Sequence, residues 1–365
     1  LKVTFPHMGN MHVALKTVFK GLKIESVPPP PITKRTLELG VKYSPEFACM
    51  PMKINVGNFI EALELGADTI VMGGGWGPCR FGLYAQVEKD ILKDLGFDFN
   101  MVILEAPDSK ISELFKQLKS LGQNVSLLQA LKTLKLAWNK LDAIEIVEKN
   151  LEYFLPRVIE KARADKLYQE AIESIDRADG KNQCYKAAFE AAKAMQELPT
   201  ENQEPLKIGL VGEIYTILEP AANFEIIKLL GYMGVEVERS IYLTDWISAH
   251  LFGGYIKKTD HKSIIASAQP YLNYWVGGHG QETIGSTVGF ARQKCDGVIQ
   301  IAPLTCMPEI VAQAILPTVS VKEDIPCMTL WFDELSGTAG IQTRLEAFTD
   351  MIYRRKYRAS NLKEA

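Results

Sequence analysis

Three cysteines in this chain stand where thiolates can do chemistry. Cys49 lies in Glu46-Phe47-Ala48-Cys49-Met50-Pro51, Cys79 in Gly77-Pro78-Cys79-Arg80-Phe81-Gly82, and Cys306 in Pro303-Leu304-Thr305-Cys306-Met307-Pro308. Cys79 and Cys306 each follow an apolar, β-like run, and Cys49 precedes a helix-like segment. Open α/β sheets build their sites at the carboxyl ends of strands and at helix starts. A thiolate there is also favoured by the helix dipole. Three thiolates from distant loops, converging on one cleft, read as ligands of an iron–sulfur cluster. Gly74, Gly75 and Gly77 let the backbone approach a bulky inorganic group. Their amides are expected to hydrogen-bond to sulfide and tune the potential. Arg80, beside Cys79, either balances the negative charge of the cluster or forms a surface ion pair.

The glycine run at 73–77 is not a dinucleotide fingerprint. No acidic residue sits suitably on the next strand end, and the run ends in Pro78-Cys79 instead of entering a helix directly. There is no Walker lysine motif. His279 and Glu282 lie in Gly277-Gly278-His279-Gly280-Gln281-Glu282. They read either as a tight turn or as proton donors and hydrogen-bonding supports beside the cluster. A mononuclear zinc site of Cys49, Cys79, Cys306 and His279 ranks lower, because zinc sites usually contain a close ligand pair. Cys184, in the charged helical connector, reads as structural or exposed, Cys295 stands ahead of a strand, at the end away from a sheet's usual site, and Cys327 reads as core, as cysteine often is. A double cubane needs about three more thiolates, and these three occupy no comparable loop. A single [4Fe–4S] cluster is therefore expected, with an [8Fe–9S] double cubane as the alternative.

At 365 residues the chain is expected to form more than one domain. A net charge of −3 offers no reason for nucleic-acid or membrane binding. No apolar run reaches the ~20 residues that span a bilayer. The amino terminus reads as a strand and not as a signal peptide. Six dispersed cysteines do not resemble a secreted disulfide framework. A cytoplasmic location is expected.

The elements that must position these residues alternate. Strands are predicted at 2–5, 23–27, 69–72 and 101–104, with helices at 11–21, 54–65 and 83–95 between them. Such alternation implies a parallel sheet with helices on its faces. Residues 108–205 lack a convincing strand and read as a helical connector or subdomain. A second α/β unit spans 206–365, with strands at 206–212, 235–237, 296–301 and 327–331 and helices at 223–233 and 343–357. The expected division is thus 1–107, 108–205 and 206–365. The two α/β parts share a plan, strand, helix, strand, then a cysteine-bearing loop, which hints at duplication.

The segments Phe5-Pro6-His7-Met8-Gly9-Asn10, Tyr43-Ser44-Pro45-Glu46-Phe47-Ala48-Cys49-Met50-Pro51, Gly77-Pro78-Cys79-Arg80-Phe81-Gly82, Gly277-Gly278-His279-Gly280-Gln281-Glu282 and Thr343-Arg344-Leu345-Glu346-Ala347-Phe348 carry a resemblance. They resemble the acyl-CoA dehydratase activase-related proteins. These are relatives of the 2-hydroxyacyl-CoA dehydratase and benzoyl-CoA reductase subunits and of double-cubane cluster proteins. The resemblance implies two Rossmann-like domains with an iron–sulfur cluster in the cleft between them. It implies that Cys49, Cys79 and Cys306 bind a cubane with one iron left open. It also implies a redox partner, an ATP-hydrolysing activator of the Hsp70/actin-like fold. The long helical connector and the His279 loop depart from the dehydratase pattern.

The expected function is therefore low-potential electron transfer, extending to a small substrate at the open iron, in a homodimer supplied by the activator. The enzyme class in view is an ATP-dependent iron–sulfur reductase or a dehydratase-family component. The alternatives are a non-catalytic scaffold for an activator ATPase and a double-cubane reductase of small molecules.

Overall fold

The computed structural model describes residues 1–75, 79–104, 125–202 and 204–364, with side chains to residue 356. The chain is α/β. Two four-stranded sheets, parallel throughout, carry the strands. Two compact units contain them. The first comprises Leu1–Glu145, Ser174–Lys186 and Leu243–Thr259, and the second Ile146–Glu173, Ala187–Tyr242 and Asp260–Ala365.

In the first unit the order along the chain is β1 (Lys2–Thr4), α1 (Met11–Gly21), β2 (Glu25–Ser26), α2 (Lys34–Tyr43), α3 (Met50–Glu64), β3 (Thr69–Gly73), α4 (Phe81–Asp94) and β4 (Asn100–Leu104). The sheet order is β2-β1-β3-β4. The chain leaves β1 toward one edge and returns to place β3 on its other side. This reversal makes the crevice at the carboxyl ends of β1 and β3 the favoured site of the sheet. One apolar cluster under α3 includes Phe59, Ile70, Met72 and Leu92, and a second includes Phe5, Phe19 and Val71.

Helices α5 (Leu127–Phe154), α6 (Lys161–Arg177) and α7 (Lys181–Gln196) follow, and their residues are divided between the two units. The second sheet then repeats the first. Its elements are β5 (Leu206–Gly212), α8 (Ile214–Leu218), α9 (Ile226–Tyr232), β6 (Val235–Arg239), α10 (Leu243–Phe252), α11 (His261–Ala268), α12 (Gly280–Arg292), β7 (Gly297–Pro303), α13 (Met307–Lys322), β8 (Cys327–Phe332) and α14 (Thr338–Glu364). Helix α10 belongs to the first unit. The strand order is β6-β5-β7-β8, the same permutation. Strand β7 is buried along its whole length, as a central parallel strand should be.

The repetition extends to the helices. In both units a helix pair precedes the third strand, α2 with α3 and α11 with α12; α2 and α3 run antiparallel, with Thr36 at Gly57 and Gly40 at Lys53, whereas the contacts of α11 and α12 ascend together, His261 with Glu282, Ile264 with Gly285 and Ser267 with Arg292. Each pair is pressed together at a glycine. A Cβ on Gly57 of α3 would lie 2.0 Å from the Thr36 carbonyl oxygen of α2. A Cβ on Gly285 of α12 would lie 2.0 Å from the Ile264 carbonyl oxygen of α11.

Several elements differ from the sequence expectation for local reasons. Strand β2 is shorter than 23–27 because Lys23 adopts a left-handed φ of 59°. Its amide and that of Ile24 bond back to the end of α1. Helix α9 starts at Ile226 and not at 223, because Phe224 and Glu225 both have positive φ. Among the described residues no helix is long and apolar enough to cross a membrane.

Candidate functional site

In the first unit Cys49 is the N-cap of α3, in extended conformation, with Pro51 in the first turn. Cys79 follows β3 and precedes α4. Two side chains from the start of α4 link the segments. Arg80 Nη1 donates to the Phe47 carbonyl at 2.8 Å, and the Tyr84 hydroxyl is hydrogen-bonded to Cys49 Sγ. Burial pushes the Tyr84 hydroxyl far above its ordinary value, and Cys49 and Cys79 push it further, while Arg80 pulls it back. The structure thus gathers Cys49, Cys79 and Arg80 about Tyr84. Both cysteines are half-buried.

The glycines of this loop have other uses as well. The Gly74 amide donates to the Leu104 carbonyl at 2.9 Å, continuing the β3–β4 ladder. Gly75 lies under the Phe81 ring, which a Cβ would approach to 3.1 Å. Gly77, with Trp76 and Pro78, lies outside the described residues.

Deeper in the same unit, Glu88 of α4 meets Asn55 of α3. The Asn55 amide nitrogen donates to Glu88 Oε1 at 3.3 Å. Glu88 Oε2 and Asn55 Oδ1 are both buried without a hydrogen-bond partner. Burial pushes the Glu88 carboxyl up to about 8. A proton on Glu88 is the donor that these two acceptors lack. At the end of β1, the His7 and His12 rings lie 6.1 Å apart, and burial lowers the pKa of His12.

The second unit builds a matching place from different residues. His279 is the N-cap of α12 and Cys306 the N-cap of α13. Their segments are packed together. A Cβ on Gly280 would lie 2.5 Å from the Pro308 carbonyl oxygen, and one on Gly278 would lie 3.0 Å from the Pro308 ring. The glycines that flank His279 therefore seat it against the first turn of α13. One turn along α12, Glu282 Oε1 lies 3.4 Å from His261 Nε2.

Beneath this pair lies Glu309 of α13, fully buried. Thr283 Oγ1 donates to its carboxylate oxygens at 3.1 and 3.0 Å, and the Gln300 amide donates at 2.8 Å. Burial raises Glu309 to about 8 against these donors, and the charges of Glu213 and Glu282 raise it further. Glu213, at the end of β5, caps α8 through the Tyr215 and Thr216 amides. Burial raises its pKa as well.

The other thiols are placed differently. Cys184 is wholly buried in α7, and burial raises its pKa. Burial pushes Cys295 up to about 12 and Cys327 to about 11. All three are held as protonated thiols.

Sequence reasoning placed Cys49, Cys306 and Cys79 with its neighbour Arg80 at strand ends and helix starts, which is where they are, whereas His279 and Glu282, read from a glycine-rich turn, are the N-cap and a first-turn residue of α12. Tyr84, Asn55, Glu88, His7, His12, His261 and Glu309 escaped it. Only His7 carried a usable signal, since it directly follows the first strand. Cys306, His279 and Glu282 belong to one unit and Cys49, Cys79 and Arg80 to the other. No protein-family model matches the chain and no curated protein matches it, so its own geometry must support the functional reading.

Proposed function

We propose that the chain is an iron–sulfur protein of a low-potential redox system, with Cys49, Cys79 and Cys306 as the thiolate ligands of a [4Fe–4S] cluster. The observation that supports this most is the pairing in the first unit. Two cysteines far apart in sequence are gathered at the favoured end of a parallel sheet, around a single tyrosine. The donor set fits the group, since Fe–S clusters are held by thiolates. When bound, the cluster supplies one-electron transfer at low potential.

The chain's own residues set the conditions for that transfer. The Tyr84 hydroxyl hydrogen-bonds the Cys49 sulfur, and such a bond to a ligand sulfur raises a potential. The guanidinium of Arg80 ties the Phe47 carbonyl and brings positive charge beside Cys79. Glu282 and His261 form the pair best suited to carry a proton. The electron enters from an ATP-hydrolysing activator and leaves to an acceptor, with no protein bond made or broken.

Anaerobic purification, iron and sulfide quantitation and EPR test this reading. About four irons and four sulfides per chain are expected. Cys49→Ala, Cys79→Ala and Cys306→Ala should each lose most of the iron, and Cys184→Ala should not. Full iron and an unchanged EPR signal in Cys79→Ala would sink the assignment. Iron-free protein that still binds an activator ATPase would favour the scaffold alternative.

A further inference from the structure

The carboxyl of Glu309 has partners that suit it in both of its protonation states. It stands in the first turn of α13, three residues after the Cys306 N-cap, and is wholly buried. Gln300 of β7 gives one of its oxygens a fixed donor. Gln300 Oε1 accepts from Thr329 Oγ1 of β8 at 2.8 Å, which turns the Gln300 amide nitrogen to donate to Glu309 Oε2 at 2.8 Å and to the Glu309 carbonyl at 3.0 Å. Among the described residues the other oxygen, Glu309 Oε1, has Thr283 Oγ1 of α12 as its hydrogen-bond partner, at 3.1 Å. A hydroxyl donates to a carboxylate and, turned about its C–O bond, accepts from a carboxylic acid. An amide nitrogen cannot accept. Glu309 Oε1 is therefore where a proton can come and go with the contact kept.

The surroundings weight this carboxyl toward holding the proton. The charges that act on it are those of Glu282, from α12, and Glu213, from the start of α8, while β7 and β8 bring the uncharged Gln300 and Thr329. Burial and these two carboxylates raise it to about 8. Glu282 in turn pairs with His261 at 3.4 Å, and the His261 side chain reaches solvent. All of these residues belong to the second unit, as Cys306 does.

We propose that Glu309 binds a proton when the metal group on Cys306 is reduced and releases it on reoxidation. This rests on the iron–sulfur reading and deepens it. One electron enters the metal group, and one proton passes from solvent by way of His261 and Glu282 to Glu309 Oε1. The step adds a single O–H bond to the electron transfer and leaves the net charge around Cys306 unchanged. The added electron repels a carboxylate charge in a place closed to water, which is why the proton follows it.

The test uses the full chain, reconstituted anaerobically with ferrous iron and sulfide, and follows its midpoint potential from about pH 6 to about pH 10. Below about 8 the acid is protonated in both redox states, so the potential should be level. Above that the oxidised form is ionised, and the potential should fall by about 59 mV for each tenfold drop in proton activity. Glu309→Gln should keep its iron and give a level potential throughout. Thr283→Val, which takes a donor from the ionised form, should move the bend to higher pH. Redox-difference infrared spectra above the bend should show a carboxylic acid band that grows on reduction and is missing in Glu309→Gln. A level potential in the unmodified chain, an unmoved bend in Thr283→Val, or a slope that survives in Glu309→Gln or disappears in Glu88→Gln overturns this inference and leaves the cluster reading standing. Iron-free unmodified protein after reconstitution overturns both.

Discussion

The two units use one scaffold and fill it differently. Behind the Cys49–Cys79 pair, the helix after the third strand carries Glu88, met by Asn55 from the helix before that strand. Behind His279 and Cys306, the corresponding helices contribute Glu309 and Thr283. Both acids are fully buried and both are raised to about 8. Glu309 has Thr283 and Gln300 as donors, whereas Glu88 has one long amide contact and an oxygen with no partner. Each unit thus buries an acid on the helix after its third strand, Glu88 midway along α4 and Glu309 in the first turn of α13, and the two are satisfied by different means. In the first unit the acid depends on its own proton.

The largest expected effect tests that dependence. Each carboxyl is raised from an ordinary value of 4.5 to about 8 by folding. It is therefore protonated in the folded chain while the unfolded chain ionises it. The stability it lends is full below a pH of ~4.5 and is lost as pH rises to about 8, by up to about 4 kcal/mol per group. Urea denaturation at pH 5 and at pH 8.5 should show this loss. Glu88→Gln, whose amide can pair with Asn55, should flatten the dependence and be more stable than the parent at the higher pH. Glu309→Gln should gain less, because Thr283 and Gln300 already serve the ionised form. Identical pH slopes for the parent and Glu88→Gln would remove the distinction.

A smaller effect probes the shared scaffold. Gly57→Ala and Gly285→Ala each drive a methyl into a backbone carbonyl of the paired helix. Each should cost about 1–3 kcal/mol, as overpacking does. A neutral result at only one of them would mean that the two helix pairs are not equivalent.

The smallest effect separates the two places proposed to bind metal. Tyr84→Phe removes the hydroxyl on Cys49, a loss of about 1 kcal/mol. It should slow alkylation of Cys49 near neutral pH in iron-free protein, because the bond that favours its thiolate is gone, and leave Cys306 unchanged, as read by mass spectrometry. Faster alkylation at both would mean a global loosening.

Much of this architecture was legible because strands write themselves as short apolar runs. Leu206–Gly212 was readable to the residue, and the β3 run before the glycines nearly so. The helices α11 to α13 were not. The start of helix α12 follows Gly277-Gly278-His279-Gly280, which reads as a turn, and Gly278, Gly280 and Gly285 are explained by Pro308 and the Ile264 backbone packed on them. Helix α3 is buried on nearly every side, so it shows a weak amphipathic period. The thiols of the site were visible through their place after strands. Glu88, Asn55 and Glu309 were not, because a polar residue in a helix looks solvated until a neighbour from a distant segment covers it.

Burial also decides which sulfurs an oxidant reaches. Sulfenic acid forms from exposed thiolate. Cys184 has no exposed surface, and Cys295 and Cys327 are held far up the thiol range. Air should therefore consume Cys49, Cys79 and Cys306 first, while the core keeps its shape. A preparation oxidised at these three would still show the far-UV spectrum of the native chain. Once unfolded, it would yield the three core thiols intact, an internal standard against which damage to the other three can be counted.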